Sequence, residues 1–157
     1  MNVATKPKIK IADDSELRAE IDKLYEISEQ VELAKWSIKC ARHVLPLSEV
    51  ENMEMKDIES GIGVNELWQD GKASVYEVRQ AGFKIHAIAR NCKTEIGKNA
   101  IRTVGQAVGT GHMKEHAMVC SDYVIKTVQL AFPNDKEKIT QERKCQLDTL
   151  REVKAST

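Results

Sequence analysis

Residues 100–126 read AIRTVGQAVGTGHMKEHAMVCSDYVIK, the longest run in the chain with few charges, and small residues recur through it at helix-packing spacings. Ile96, Ala100, Ile101, Val104, Ala107 and Val108 return with the helical period and predict a helix over 96–108. Gly105 lies in its interior, where glycine costs about 1 kcal/mol relative to alanine, so its presence implies that another backbone comes close. Gly109-Thr110-Gly111 interrupts the period, and Thr110 is placed to cap a second helix over 112–131. That second segment is apolar on most sides, as a helix at the centre of a bundle must be. These two helices set the expectation for everything around them.

The remaining segments follow the same period. Asp13, Asp14 and Ser15 are helix-start residues and open a short helix over 15–25. A longer helix spans 29–45, with Ser28 as N-cap and Pro46 as its stop. Its apolar residues form two adjacent rows, Val31, Ala34, Ile38, Ala41, Leu45 and Leu33, Trp36, Cys40, Val44, too wide a stripe for one neighbour. The acidic stretch 48–57 reads as a loop. A helix over 58–68 is expected to be broken by the weak helix formers Gly61 and Gly63 and is ended by Gly71. Ser74 and Glu77 make a capping box that opens a helix over 75–92. Its core face is Val75, Val78, Gly82, Ile85, Ala89 and Cys92, and beside it runs the row Arg79, Phe83, His86, Arg90. After the turn Phe132-Pro133-Asn134-Asp135, a helix over 136–154 offers Ile139, Cys145, Leu147, Leu150 and Val153 to the core.

No segment alternates as a strand does. The fold class is therefore all-α: a single-domain helical bundle of about six helices over 15–154, with no sheet, behind a flexible arm over 1–14. The chain of 157 residues is long enough for one core. Aromatic residues at 4% suit closely packed helices better than sheets.

Charge and composition also exclude functions. Lys plus Arg number 24 and Asp plus Glu 24, giving net formal charge +0, which argues against a nucleic-acid-binding domain. No run approaches the roughly 20 apolar residues of a membrane span, and no signal-peptide core is present, so a cytoplasmic protein without membrane contact is expected. Cys40, Cys92, Cys120 and Cys145 form no CxxC pair and are expected as free thiols, the first three packing as small apolar side chains.

His112-Met-Lys-Glu-His116 matches the H-x-x-E-H pattern, in which two histidines one helical turn apart bind zinc and the glutamate acts as base. A catalytic zinc needs a third ligand, normally a glutamate on a later helix, and the chain after His116 is short for one. A non-catalytic site is the other metal reading: His112, His116 and Tyr123 share a row, and His86 approaching from a neighbouring helix makes a three-histidine set, as zinc favours. The same imidazoles read also, and more simply, as packing residues bonded to carbonyls, Gln106 or Asp122. No phosphate-cradling loop and no Ser-His-Asp arrangement is present. The acidic stretch 49–59 suits a basic partner or simply a solvated surface.

The blocks WSIKCARHVLPL, ELWQDGKASVYEVRQAGFKIHAIAR, AIRTVGQAVGTGHMKEHAMVCSDYVIKTV and ITQERKCQLDTL resemble, in that order, an all-helical family of immunity proteins from bacterial polymorphic toxin systems, the immunity-5-like family. The resemblance covers about 31–150. The family pattern falls on Trp36, Cys40, Trp68, Gly71, His86, Arg90, Gly105, Gln106, His112, His116 and Tyr123. The chain departs from it with fewer alanines over 99–111 and with Met118 and Val119 where smaller residues are usual. The resemblance implies an intracellular protein that binds and neutralises a cognate protein toxin, with no reaction and no cofactor of its own. The candidate functional cluster is His86, Arg90, Gln106, His112, His116 and Tyr123. The alternative is a small metal-binding or metal-dependent hydrolytic protein that holds zinc on His86, His112 and His116.

Overall fold

Helix ends follow local chemistry along the whole chain. In the computed structural model, which describes residues 4–50 and 52–156, the elements are α1 (Ser15–Glu26), α2 (Gln30–Val44), a 3-10 turn (Leu45–Ser48), α3 (Asn52–Gln69), α4 (Val75–Arg90), α5 (Glu95–Gly109), α6 (His116–Ala131) and α7 (Lys136–Ala155). The architecture is all-α, with no strand among the described residues. The Asp14 carboxylate caps α1 by accepting from the Leu17 amide at 3.1 Å, and Asp135 caps α7 in the same way through Lys138. The capping box of α4 is present: the Ser74 hydroxyl accepts from the Glu77 amide while Glu77 accepts from the Ser74 amide, both at 3.1 Å.

Several local expectations are corrected. All seven segments read as helical are α-helices among the described residues, one more than the round figure of about six. The entry to α2 is held by Glu29, whose amide donates to Glu32 at 2.9 Å, and not by Ser28. The acidic stretch 48–57 is mostly helical, because α3 already begins at Asn52; within α3, Glu59 pairs with Arg42 at 2.8 Å on the surface. Gly61 does not break α3. It packs against α4, where a Cβ would lie 2.6 Å from Ile85 Cδ1. Gly71 does end the helix, at φ +74°, with its amide donating to the Trp68 carbonyl. Residues 1–3 of the expected arm and residue 51 of the acidic stretch lie outside the described residues.

The helices bury two joined apolar clusters. The first contains Ile21, Tyr25, Leu33, Trp36, Val44, Met118, Val124, Ile125, Leu147 and Leu150, from α1, α2, α6 and α7. The second contains Ile38, Ala41, Ile58, Ile62, Val78, Ile85, Ile101, Val104 and Val108, from α2, α3, α4 and α5. The two rows read on α2 supply one cluster each, so α2 is the wall between them. α6 also reaches both, through Met118 and Cys120. Burial of a side chain such as Leu33 or Ile85 stabilises the fold by about 1.5–3 kcal/mol relative to leaving it exposed.

The first cluster is sealed by a charged network that the apolar periodicity of α7 conceals. Arg143 is 0% exposed. Its guanidinium donates to both carboxylate oxygens of Asp13, at 2.8 and 2.9 Å, and to Asp122 at 2.7 Å. Arg18 grips the other side of Asp122 at 2.9 and 3.0 Å. Thr5 donates to Asp22 through its amide and its hydroxyl, and its carbonyl accepts from Arg18. Residues 4–14 carry no regular secondary structure, yet these bonds tie the arm to α1, α6 and α7.

Candidate functional site

Three of the four histidines come together where α4, α5 and α6 meet. Gly82 of α4 faces α5 closely: a Cβ there would lie 3.6 Å from the Gly105 carbonyl oxygen. That approach leaves a notch at Gly105, filled by the His86 imidazole. A Cβ on Gly105 would lie 2.6 Å from His86 Cε1 and 2.7 Å from its Nε2. The interior glycine of α5 thus accommodates a neighbouring backbone, as expected, and also an aromatic ring. One turn further on, Gly109 seats the His116 ring, whose Cγ would be 3.2 Å from an added Cβ.

His112 and His116 do not share a helix. Residues 110–115 form turns and α6 begins at His116, so the expected helix over 112–131 is shorter and the H-x-x-E-H spacing is not helical. Tertiary contacts hold the turn out of helix. Thr110 is buried, with its carbonyl accepting from the Gln30 side chain at 2.8 Å and its hydroxyl 3.2 Å from that of Ser37. Gly111 fits beneath Trp68 and Val78, where a Cβ would lie 2.8 Å from a Val78 methyl. Lys114 lies over the Tyr25 ring at 5.1 Å from its centroid. Thr110 is therefore the C-cap of α5 and not the start of α6. The turn still returns His112 to its partner, with ring centroids 5.8 Å apart.

Gln106 completes the cluster. Its side-chain oxygen lies 2.6 Å from His116 Nδ1; because an amide oxygen only accepts, the imidazole carries its proton on Nδ1 and leaves Nε2 as the lone-pair nitrogen. Burial holds His86 below the ordinary histidine value, reinforced by the positive neighbours His116, Arg102 and Arg90. Burial also lowers His116, with His112 and Lys8 adding to it and Glu115 opposing. Neutral imidazoles are favoured at neutral pH.

Of the six residues singled out, His86, Gln106, His112 and His116 form this cluster. Arg90 stands at its edge, exposed in the last turn of α4, where a cation complements the helix dipole. Tyr123 lies two turns along α6, half-buried, and among the described residues its phenol makes no hydrogen bond. Sequence reading missed Arg102 and Lys8. Arg102 was within reach, since it precedes Gln106 by one helical turn; Lys8 comes from the arm, and no spacing rule leads to it.

Among the described residues, no three His, Cys, Asp or Glu side chains are placed to hold one metal ion. The fourth histidine, His43, lies elsewhere, 3.0 Å from Glu142 and 3.8 Å from the Cys145 sulfur. Burial and the Glu142 carboxylate push the Cys145 thiol up, towards its unreactive protonated form. All four cysteines are free thiols. No helix among the described residues is long and apolar enough to cross a membrane.

Comparison with known proteins agrees with the family blocks. No curated protein and no solved structure matches the chain. A family model described as "Imm-5 like putative immunity protein" matches residues 23–153. That span runs from within α1 to within α7 and takes in the second apolar cluster, most of the first and the imidazole notch. By that match, the chain belongs to the Imm-5 like putative immunity protein family.

Proposed function

We propose that this chain is a bacterial, cytoplasmic immunity protein that binds a cognate toxin of a polymorphic toxin system and neutralises it by covering part of its surface, without a reaction of its own. The observation that carries this reading is the family match across 23–153. The geometry supports it: the histidines are seated in glycine notches and held by Gln106, and the Cys145 thiol is kept protonated. Co-expression with the toxin encoded beside it is the direct test. A complex that co-purifies, and protection of cells from that toxin, are the expected results; failure of any neighbouring product to bind would overturn the reading.

A second reading rests on the neutral imidazoles, since neutral histidine is the form that binds metal. In it, the protein is a small metal-binding or metal-dependent hydrolytic protein using zinc on His86, His112 and His116, whose side chains would have to close up from their places in this structure. Metal analysis of protein purified without added metal separates the two. Stoichiometric zinc lost in His112→Ala/His116→Ala protein would establish the metal site, and its absence leaves the packing role.

A further inference from the structure

Three cations, Arg90, Arg102 and Lys8, lie near the imidazole cluster, and a fourth, Arg79, stands on α4 beside Phe83. Among the described residues none of the four has an ion-pair partner. Arg79 and Arg90 are exposed on the outer row of α4, Arg102 is half-buried on α5, and Lys8 is exposed on the arm. The ion pairs of the described chain involve other cations: Arg18, Arg42, His43, Lys98, Arg143, Arg151 and Lys154. Arg102 and Arg90 both act on His86, and Lys8 acts on His116, so these charges converge on one region. Glu115, beside His116, is the carboxylate that faces it. In a chain with 24 basic and 24 acidic side chains, the balancing acids lie elsewhere. Glu49, Asp57 and Glu66 are exposed along α3 and its approach.

The same row carries an apolar anchor. Phe83 is 52% exposed, and the Arg79 guanidinium lies 5.4 Å from its ring centroid. Aromatic and arginine side chains held together on a helix face are the residues that dominate protein interfaces, and unpaired cations around them favour a partner of opposite charge.

We propose that the face of α4 and α5 bearing Arg79, Phe83, Arg90 and Arg102 is the toxin-docking surface, and that the toxin presents to it an acidic patch with an apolar contact for Phe83. This inference rests on the immunity reading. A folded acidic protein suits the face better than nucleic acid does, because an extended polyanion also meets the carboxylates along α3.

The test measures binding of the full chain to the toxin encoded beside it, at low and high salt. Arg79→Glu/Arg90→Glu protein, altered only at exposed positions, should bind on the order of a hundredfold more weakly and lose most of its salt dependence. Phe83→Ala should weaken binding about tenfold or more with the salt dependence intact. Lys23→Glu/Lys136→Glu protein, altered at exposed positions on α1 and α7, should bind as wild type does. If the toxin binds wild-type protein and the α4 variants bind equally well, this surface is overturned while the immunity reading stands. If wild-type protein binds no such toxin, the immunity reading falls and this inference with it. RNA binding tighter than toxin binding, and lost in Arg79→Glu/Arg90→Glu protein, would reassign the face to nucleic acid and overturn the proposal.

Discussion

The two halves of the bundle solve the burial of polar groups in opposite ways. Around α1, α6 and α7, full charges are buried and compensated by other charges: Arg143, at 0% exposure, faces Asp13 and Asp122, and Arg18 takes the remaining side of Asp122. Between α4, α5 and the start of α6, half-buried imidazoles favoured in their neutral form are fitted into space that glycine leaves open. The first arrangement is strong only while every partner is present, since removing one leaves a buried charge unpaired. The second depends on shape, and it tolerates adjustment because a half-buried ring can swing outwards. A cluster of histidines is thus the more conspicuous feature in the sequence and the less costly one to disturb.

The largest test of that contrast is Arg143→Ala, which leaves Asp13 without its guanidinium and Asp122 with Arg18 alone. We expect a loss of about 3–5 kcal/mol in urea unfolding. A loss below about 1 kcal/mol would show that the network does not hold the arm and α7 together. The corresponding change in the other half is Gly105→Ala, which places a methyl group 2.6 Å from the His86 ring. Its expected cost is about 1–3 kcal/mol. Most of that cost should vanish in Gly105→Ala/His86→Ala protein, because the clash is with this one side chain, and a double-mutant cycle measures the coupling. Additive losses would mean that α4 and α5 themselves have no room to adjust.

The smallest expected effect is a pH dependence confined to the imidazole half. His86 and His116 sit below the ordinary value of 6.5 in the fold, so the unfolded chain binds protons first as pH falls. Their contribution is present above 6.5 and is lost as the pH drops below it. The urea midpoint of wild-type protein should fall between about pH 7.5 and about pH 5.5, and His86→Gln/His116→Gln protein should show a shallower fall. An unchanged slope would place the pH sensitivity outside this cluster.

Legibility differed between the halves for a physical reason. The capping box of α4, the two apolar rows of α2 and the glycine that ends α3 were read correctly, because each depends on residues within a few positions of one another. Arg143 was passed over although it occupies an apolar face of α7 between Ile139 and Leu147. That position alone was a signal that its charge must be buried and answered, but it could not say by what, since Asp13 and Asp122 lie far away in the chain. The histidine motif misled in the opposite direction. Its spacing is helical on paper, but Gly111 under Trp68 and the Gln30 bond to Thr110 hold residues 110–115 in turns.

By itself, then, the sequence determined the class of fold, most of the helices and the family, because periodicity, caps and short motifs are local and survive without a partner. The tertiary structure alone decided which polar residues meet. It buried Arg143 between two aspartates, set His86 and His116 into the notches at Gly105 and Gly109, and left Arg90, Arg102 and Lys8 near those rings without carboxylate partners among the described residues. Those pairings join residues distant in the chain, and their energies depend on burial and distance, neither of which spacing along the sequence encodes.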